Sequence, residues 1–209
     1  MVPQRAMIIV TTSHRPSQRA RSFVKDLVSV LPSAIKLARG KATLNDLYYE
    51  AVARGAKRVV VVTVWKGNPG ALRVYEPLEP PRTELSLIAR ITMRGVKLSR
   101  ESPGAQRAFG ANSLGVYIDA PPSQTFFNLA DTLSRIFLAR MALTRDDKDF
   151  DVVAVIRPYP EGVAEITFIC TGTGRVCGPT LRVAGVEDFV SGFSAHKARG
   201  AGRARDESY

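Results

Sequence analysis

The apolar positions of the chain fall into short blocks whose spacing switches between an extended pattern and a helical one. Residues 6–12, AMIIVTT, read as a short buried strand. From Ser17 to Leu31 the period changes. Ala20, Phe23, Val24, Leu27, Val28 and Leu31 recur at three and four residues and form one apolar stripe, with Arg19, Arg21, Ser22, Lys25 and Ser29 on the other faces. Pro32 stops that helix, and AIKLARG (34–40) is a short strand ending at Gly40. A second helix is punctuated at both ends. Thr43 is a natural N-cap with Asp46 at the third helical position, Leu44, Leu47, Tyr48, Ala51 and Val52 make the core face, and Gly55 supplies the stop. RVVVVTVW (58–65) is a continuous β-branched run, which suits a central strand buried on both faces.

Beyond the KGNPG turn (66–70), ALRVYEP alternates like a strand and PLEPPR breaks the chain. ELSLIARITM is another strand, whereas RGVKLSRESPGAQRAFGANS (94–113) has little periodicity and predicts a loop. LGVYIDA (114–120) is a strand. The longest helix is predicted over residues 121–143, with Phe126, Leu129, Leu133, Ile136, Phe137 and Met141 on its core side. RDDKDFD is a charged turn and VVAVIRPYP a strand, followed by the hairpin AEITFICTGTGRVCG and a last strand, TLRVAGVEDF. Residues 191–209 are small and basic and predict a flexible tail. Strands alternating with helices place the chain in the α/β class, with mixed sheets and flanking helices.

Two segments echo each other. Residues 16–31, PSQRARSFVKDLVSVL, and residues 122–137, PSQTFFNLADTLSRIF, each follow a strand and open a helix on Pro-Ser-Gln. Phe23 aligns with Leu129, Leu27 with Leu133 and Leu31 with Phe137. This predicts two similar half-domains, about residues 1–100 and 101–190. Pro-Ser is a common helix start, so chance recurrence is the alternative.

Charge sharpens the picture. The chain of 209 residues carries a formal net charge of +11. Residues 1–60 hold 11 basic and 3 acidic side chains, a net of +8, so the excess is concentrated there. Such asymmetry points to a polyanion, either nucleic acid or an anionic membrane surface; a merely solvated basic surface is the plain alternative. Arginine outnumbers lysine 22 to 8, which suits bidentate phosphate contacts but equally fits base composition or heat adaptation. No apolar run approaches the roughly 20 residues of a membrane span, and the N-terminus lacks a secretory pattern, so a soluble cytoplasmic protein is expected by default.

The charge gathers where the first helix begins. A helix N-terminus exposes unpaired N–H groups and a partial positive charge, so cations there are locally unfavourable unless an anion offsets them. Arg15 and Arg19 occupy that place, Ser17 can cap the helix or donate its hydroxyl to a phosphate, and Arg21 and Lys25 follow four residues apart on one face. The second copy has Thr125, Phe126 and Phe127 instead. Arg39, Lys41 and Lys66 complete the candidate set, with Trp65 as the best exposed aromatic for stacking on a base.

Other chemistry is weakly represented. GTGRVCG has glycines but lacks the Gly-Lys-Ser/Thr ending of a P-loop, and Pro179 follows it. His14 sits beside Ser13, but neighbouring side chains on extended backbone point apart. Neither a metal site nor a cofactor is expected. Cys170 and Cys177 face each other across a predicted turn at Thr173-Gly174, as free core thiols or as a cross-strand disulfide; free thiols are expected.

TTSHRPSQRARSFVKDL, followed by TLNDLYYEAVARGAKRVVVVTVWKGNPGALRVYE, resembles the Brix-domain family of ribosome-biogenesis proteins, best at Arg-Pro-Ser and KGNPG. The resemblance covers most of residues 6–190. It implies two halves, each related to the anticodon-binding domain of class IIa aminoacyl-tRNA synthetases. It also implies a non-catalytic role in pre-rRNA processing and subunit assembly. Its partners would be rRNA or pre-rRNA, together with ribosomal or assembly proteins, and no membrane. The family's RNA contacts would fall on Arg15, Pro16, Ser17 and Arg19. The competing readings are an enzyme acting on RNA or a nucleotide, and a protein-binding scaffold.

Overall fold

The computed structural model describes residues 7–196. Their order is β1 (Ile8–Thr12), α1 (Gln18–Val30), β2 (Ala34–Lys36), α2 (Leu44–Arg54), β3 (Arg58–Trp65), β4 (Asn68–Pro77), β5 (Leu85–Lys97), a 3₁₀ turn (Ser99–Glu101), β6 (Leu114–Ile118), α3 (Gln124–Phe137), β7 (Arg140–Met141), β8 (Val152–Arg157), β9 (Ala164–Cys170), β10 (Arg175–Asp188) and β11 (Ser194–His196). Local sequence explains the helix ends. The Thr43 hydroxyl accepts from Asp46 N at 3.2 Å while the Asp46 carboxylate accepts from Thr43 N at 2.7 Å. Gly55, at φ 68°, closes α2.

The strands of the described residues form one mixed sheet in the order β2-β1-β3-β4-β5-β10-β9-β8-β6-β7, with β11 paired to β10. A separate sheet for each half is therefore not what forms. β1 is parallel to β2 and β3, and β6 is parallel to β7 and β8. The order reads alike from both ends: β2-β1-β3-β4-β5 mirrors β7-β6-β8-β9-β10. The two runs meet along antiparallel β5 and β10, from Ala89 opposite Asp188 to Lys97 opposite Thr180. The edge strands β2 and β7 have only three and two residues, which limits edge-to-edge pairing.

Strand alternation sorts the core into layers. Val60 and Val62 of β3 join Phe23 and Leu27 of α1 and Leu129 and Leu133 of α3 in one large cluster, so both long helices cover the same face. Val59 and Val61 point the other way, with Ile9 and Tyr75, against Leu47 and Ala51 of α2. On that second face the later half has no helix; Ala142 and Phe150 cover Val153 and Val155 instead.

Several expectations change. The helix predicted over 121–143 ends at Phe137, because Leu138 turns left-handed at φ 55° and Ala139 N donates to Ser134 O at 2.8 Å. Met141 consequently lies in β7 and is exposed rather than on a core face. β5 runs on to Lys97, through a stretch expected to be loop. Residues 194–196, expected in a flexible tail, pair with β10 through Gly185–Glu187; residues 197–209 of that tail lie outside the described residues. The free-thiol expectation is also corrected: Cys170 and Cys177 form a disulfide with Cα atoms 5.7 Å apart. Cys170 registers with Arg175, and Cys177, two residues on, is its diagonal neighbour on the same face.

Candidate nucleic-acid interface

Because β1, β2 and β3 run parallel, their C-terminal ends share one edge of the sheet, the side on which open α/β sheets gather ligands. The chain leaves each strand there through a loop that carries cations: Arg15 after β1, Arg39 and Lys41 after β2, Lys66 after β3. Hydrogen bonds anchor the first of these loops to β3 and to the loop after β2. Ser13 N donates to Val62 O at 2.8 Å and His14 Nδ1 to Gly40 O at 3.2 Å. Arg15 and Lys66 are exposed, and both hold left-handed backbone, at φ 52° and 47°. Pro16 and Ser17 are half-buried. The Ser17 hydroxyl accepts from Ala20 N at 3.1 Å, and no acidic residue occupies the first turn of α1.

Arg21 and Lys25 continue this basic edge along the exposed side of α1, about 6 Å apart along the axis. No carboxylate among the described residues forms an ion pair with Arg15, Arg21, Lys25, Lys41 or Lys66. Trp65 is 71% exposed beside Lys66, whereas Tyr48 and Tyr75 are buried.

Two predicted contacts are turned to internal duty. Arg19 reaches across to Glu101, donating from Nη1 to Oε1 at 2.5 Å and from Nη2 to Oε2 at 2.8 Å, and Nη2 also donates to Val96 O at 3.0 Å. The cation at the helix start is thus offset by the protein's own carboxylate. The hydrogen bond from Arg19 holds the Glu101 carboxyl below the ordinary carboxylate range and raises the guanidinium in turn. Arg39 is buried, its Nε donating to Ala42 O at 2.6 Å, and burial lowers its pKa. The Arg19 fork is thus occupied by Glu101 and Val96, whereas Arg39 Nη1 is buried without a hydrogen-bond partner among the described residues. The sequence cue, a cation near a helix start, does not distinguish a free guanidinium from one with a partner 82 residues away.

Sequence reasoning missed three residues. Lys36 at the end of β2, with Arg107 and Phe109 of the loop after the 3₁₀ turn, adjoins Lys25 in a shallow cleft of about 390 Å³. Arg107 and Phe109 lie in a stretch without periodicity, where the one available signal is a lone aromatic among small residues, and Lys36 reads only as the end of a short strand.

α3 starts as α1 does, with the Ser123 hydroxyl accepting from Phe126 N at 3.3 Å. Its chemistry differs: Phe127 and Asp131 stand where α1 has Arg21 and Lys25. The arginine of α3, Arg135, binds Asp188 at the far end of the helix. Burial by itself would raise the Asp188 pKa. Hydrogen bonds from Ser191 N, the Thr132 hydroxyl and Val190 N, with the Arg135 charge, bring it below the ordinary value.

Comparison with known proteins gives a consistent set of relatives. The probable Brix domain-containing ribosomal biogenesis protein of Aeropyrum pernix is 38% identical over 185 residues, covering 87% of this chain and 97% of that protein. The Thermococcus kodakarensis protein of the same name is 34% identical, covering 76% and 79% of the two chains. Among solved structures, a probable ribosomal biogenesis protein from Aeropyrum pernix superposes with a TM-score of 0.70 at 35% identity, over 87% of this chain and 96% of that one. Mil, an archaeal Imp4-like protein, shares the fold at a TM-score of 0.61 and 21% identity, over 86% and 99% of the two chains. No family model matches the chain.

Proposed function

The chain belongs to the Brix domain-containing family of ribosomal biogenesis proteins, and from that premise we propose that it is a non-catalytic assembly factor that grips rRNA or pre-rRNA. The observation that carries this reading is the row of exposed cations at the start and along the outer side of α1, none of which is ion-paired among the described residues. Arg15 stands beside the helix start, where N–H groups already favour an anion, Arg21 and Lys25 extend the positive charge along the outer side of α1, and Lys41 and Lys66 join it at the sheet edge. The net charge of +11 adds a long-range pull towards a phosphate backbone.

The family likeness further implies that each run of five strands descends from a unit related to the anticodon-binding domain of class IIa aminoacyl-tRNA synthetases. The matching strand order and the paired Ser-capped helices support duplication, with halves of about 1–100 and 101–190. A scaffold role towards ribosomal or assembly proteins finds support elsewhere. Phe127, Met141 and Leu143 are exposed apolar residues of the second half.

The double reversal Arg21→Glu with Lys25→Glu tests the RNA reading. At about 0.1 M salt it should weaken binding to a structured rRNA fragment some tenfold to hundredfold. It should also reduce the slope of log affinity against log salt by about two. The melting temperature should stay near the parent's, because both side chains are exposed and unpaired. Unchanged affinity and slope would remove α1 from the interface.

A further inference from the structure

We propose that the cleft beside α1 is a stacking site for an unpaired RNA base, with Phe109 as the platform and Lys25, Lys36 and Arg107 as its phosphate contacts. The proposal rests on the RNA-binding reading above and narrows it to single-stranded RNA.

Phe109 is 96% exposed, more than any other large apolar side chain of the described residues. Its exposure does not come from a loose tip. Gln106 N donates to Val176 O at 2.9 Å and Ala108 N to Cys177 O at 3.4 Å. On the other side, Ala111 N donates to Ser29 O at 3.2 Å and Ser33 N to Ala111 O at 3.3 Å. Ala108 and Ala111 are buried. Phe109 and Gly110 thus project between two fastened points, and Gly110 takes φ 72°, a bend that glycine makes without a Cβ penalty. The chain is held so that the ring stands in water, giving up the gain that burial would return.

A single exposed apolar residue is ordinary on a protein surface. What sets this one apart is its surroundings. Lys25 from α1, Lys36 from β2 and Arg107 from the loop line the same cleft, and none of them has an ion-pair partner among the described residues. No acidic side chain lines it. A planar ring amid unpaired cations is the arrangement by which proteins hold single strands, the ring taking a base and the charges the backbone on either side of it. The cleft also continues the row of Arg21 and Lys25, so a strand entering at the start of α1 runs along the helix to the ring.

The test compares a short oligouridylate with an abasic oligomer of the same ribose-phosphate length. Phe109→Ala should weaken oligouridylate binding about tenfold and leave the abasic oligomer unaffected. Its salt slope should equal the parent's, since no charge is lost. Phe109→Trp, placed in a Trp65→Phe background so that it is the sole tryptophan, should bind as tightly as the Trp65→Phe protein itself, and its fluorescence should be quenched on binding. Lys36→Ala with Arg107→Ala should weaken both oligomers and lower the slope by about 1.4.

Equal binding of both oligomers by parent and Phe109→Ala proteins would overturn the stacking site. If Arg21→Glu with Lys25→Glu still lost rRNA binding, the broader reading would survive that result. Binding of structured rRNA but not of oligouridylate would overturn the single-strand assignment alone. Binding of neither would overturn both. If polyglutamate displaced oligouridylate equally well from the parent and the Phe109→Ala protein, the cleft would be a charge sink for acidic protein and the proposal would fall.

Discussion

The starts of α1 and α3 are built to one plan and put to different uses. Each follows a strand, each is capped by a serine that bonds the backbone N–H three residues on, and each buries the same stripe of positions against the same face of one sheet. On the exposed side they part. α1 presents Arg21 and Lys25; at the equivalent positions α3 presents Phe127, half exposed, and Asp131. The buried stripe is what the sheet demands of any helix laid there. The outward side chains are free to differ, and on the RNA-binding reading proposed above their difference assigns the polyanion to the first half.

The arginine clamps sharpen this contrast and supply its largest stability effect. Asp188 is buried and serves Arg135, Thr132 and two backbone N–H groups. Asp188→Asn should cost about 2–4 kcal/mol in urea unfolding, because it strips a charge partner and weakens several bonds at once. Its folded pKa is depressed, so its contribution is complete above the unfolded carboxylate pKa and is lost as pH falls through the folded one. The parent should lose stability steeply below about pH 4, and Asp188→Asn should flatten that slope.

Arg19 is the analogous clamp of the first half, but it is a third exposed, so its effect is smaller. Arg19→Ala should cost about 1–2 kcal/mol by thermal or urea melts, with an RNA salt slope equal to the parent's. A slope that dropped by one would return Arg19 to the interface. The smallest effect compares the two caps directly. Ser17→Ala and Ser123→Ala should each cost about 1 kcal/mol in stability. Only the first should also weaken rRNA binding, by about threefold, as expected for one lost hydrogen bond at the anion site. Equal effects of both on RNA would erase the functional distinction between the halves.

Local rules made much of this molecule legible. The Thr43–Asp46 box, Gly55 and the β-branched run of β3 appear where their residues predict, because each depends on neighbours in sequence. The end of α3 was not legible: no glycine or proline stands at Leu138, and the helix stops where β7 must pair with β6. The same limit governed the site. The exposure of Arg15, Arg21 and Lys25 follows from their place before a helix and on its outer side. Arg19 and Arg39 look alike in sequence; the acceptors of Arg19, Glu101 and Val96, are brought to it by the fold, and Arg39 is withdrawn from solvent by burial. Phe109 went unnoticed because its exposure is created by bonds to Val176, Cys177 and Ser29, none of them near in sequence.

The antiparallel seam between β5 and β10 has a mechanical consequence. Flexing one half against the other would mean tearing a long ladder of backbone bonds, so the molecule behaves as a set square rather than a pair of jaws. Whatever seizes the basic corner is thereby given a fixed bearing on Phe127, Met141 and Leu143 at the opposite arm, and a second component docking there would arrive at a distance and angle already decided.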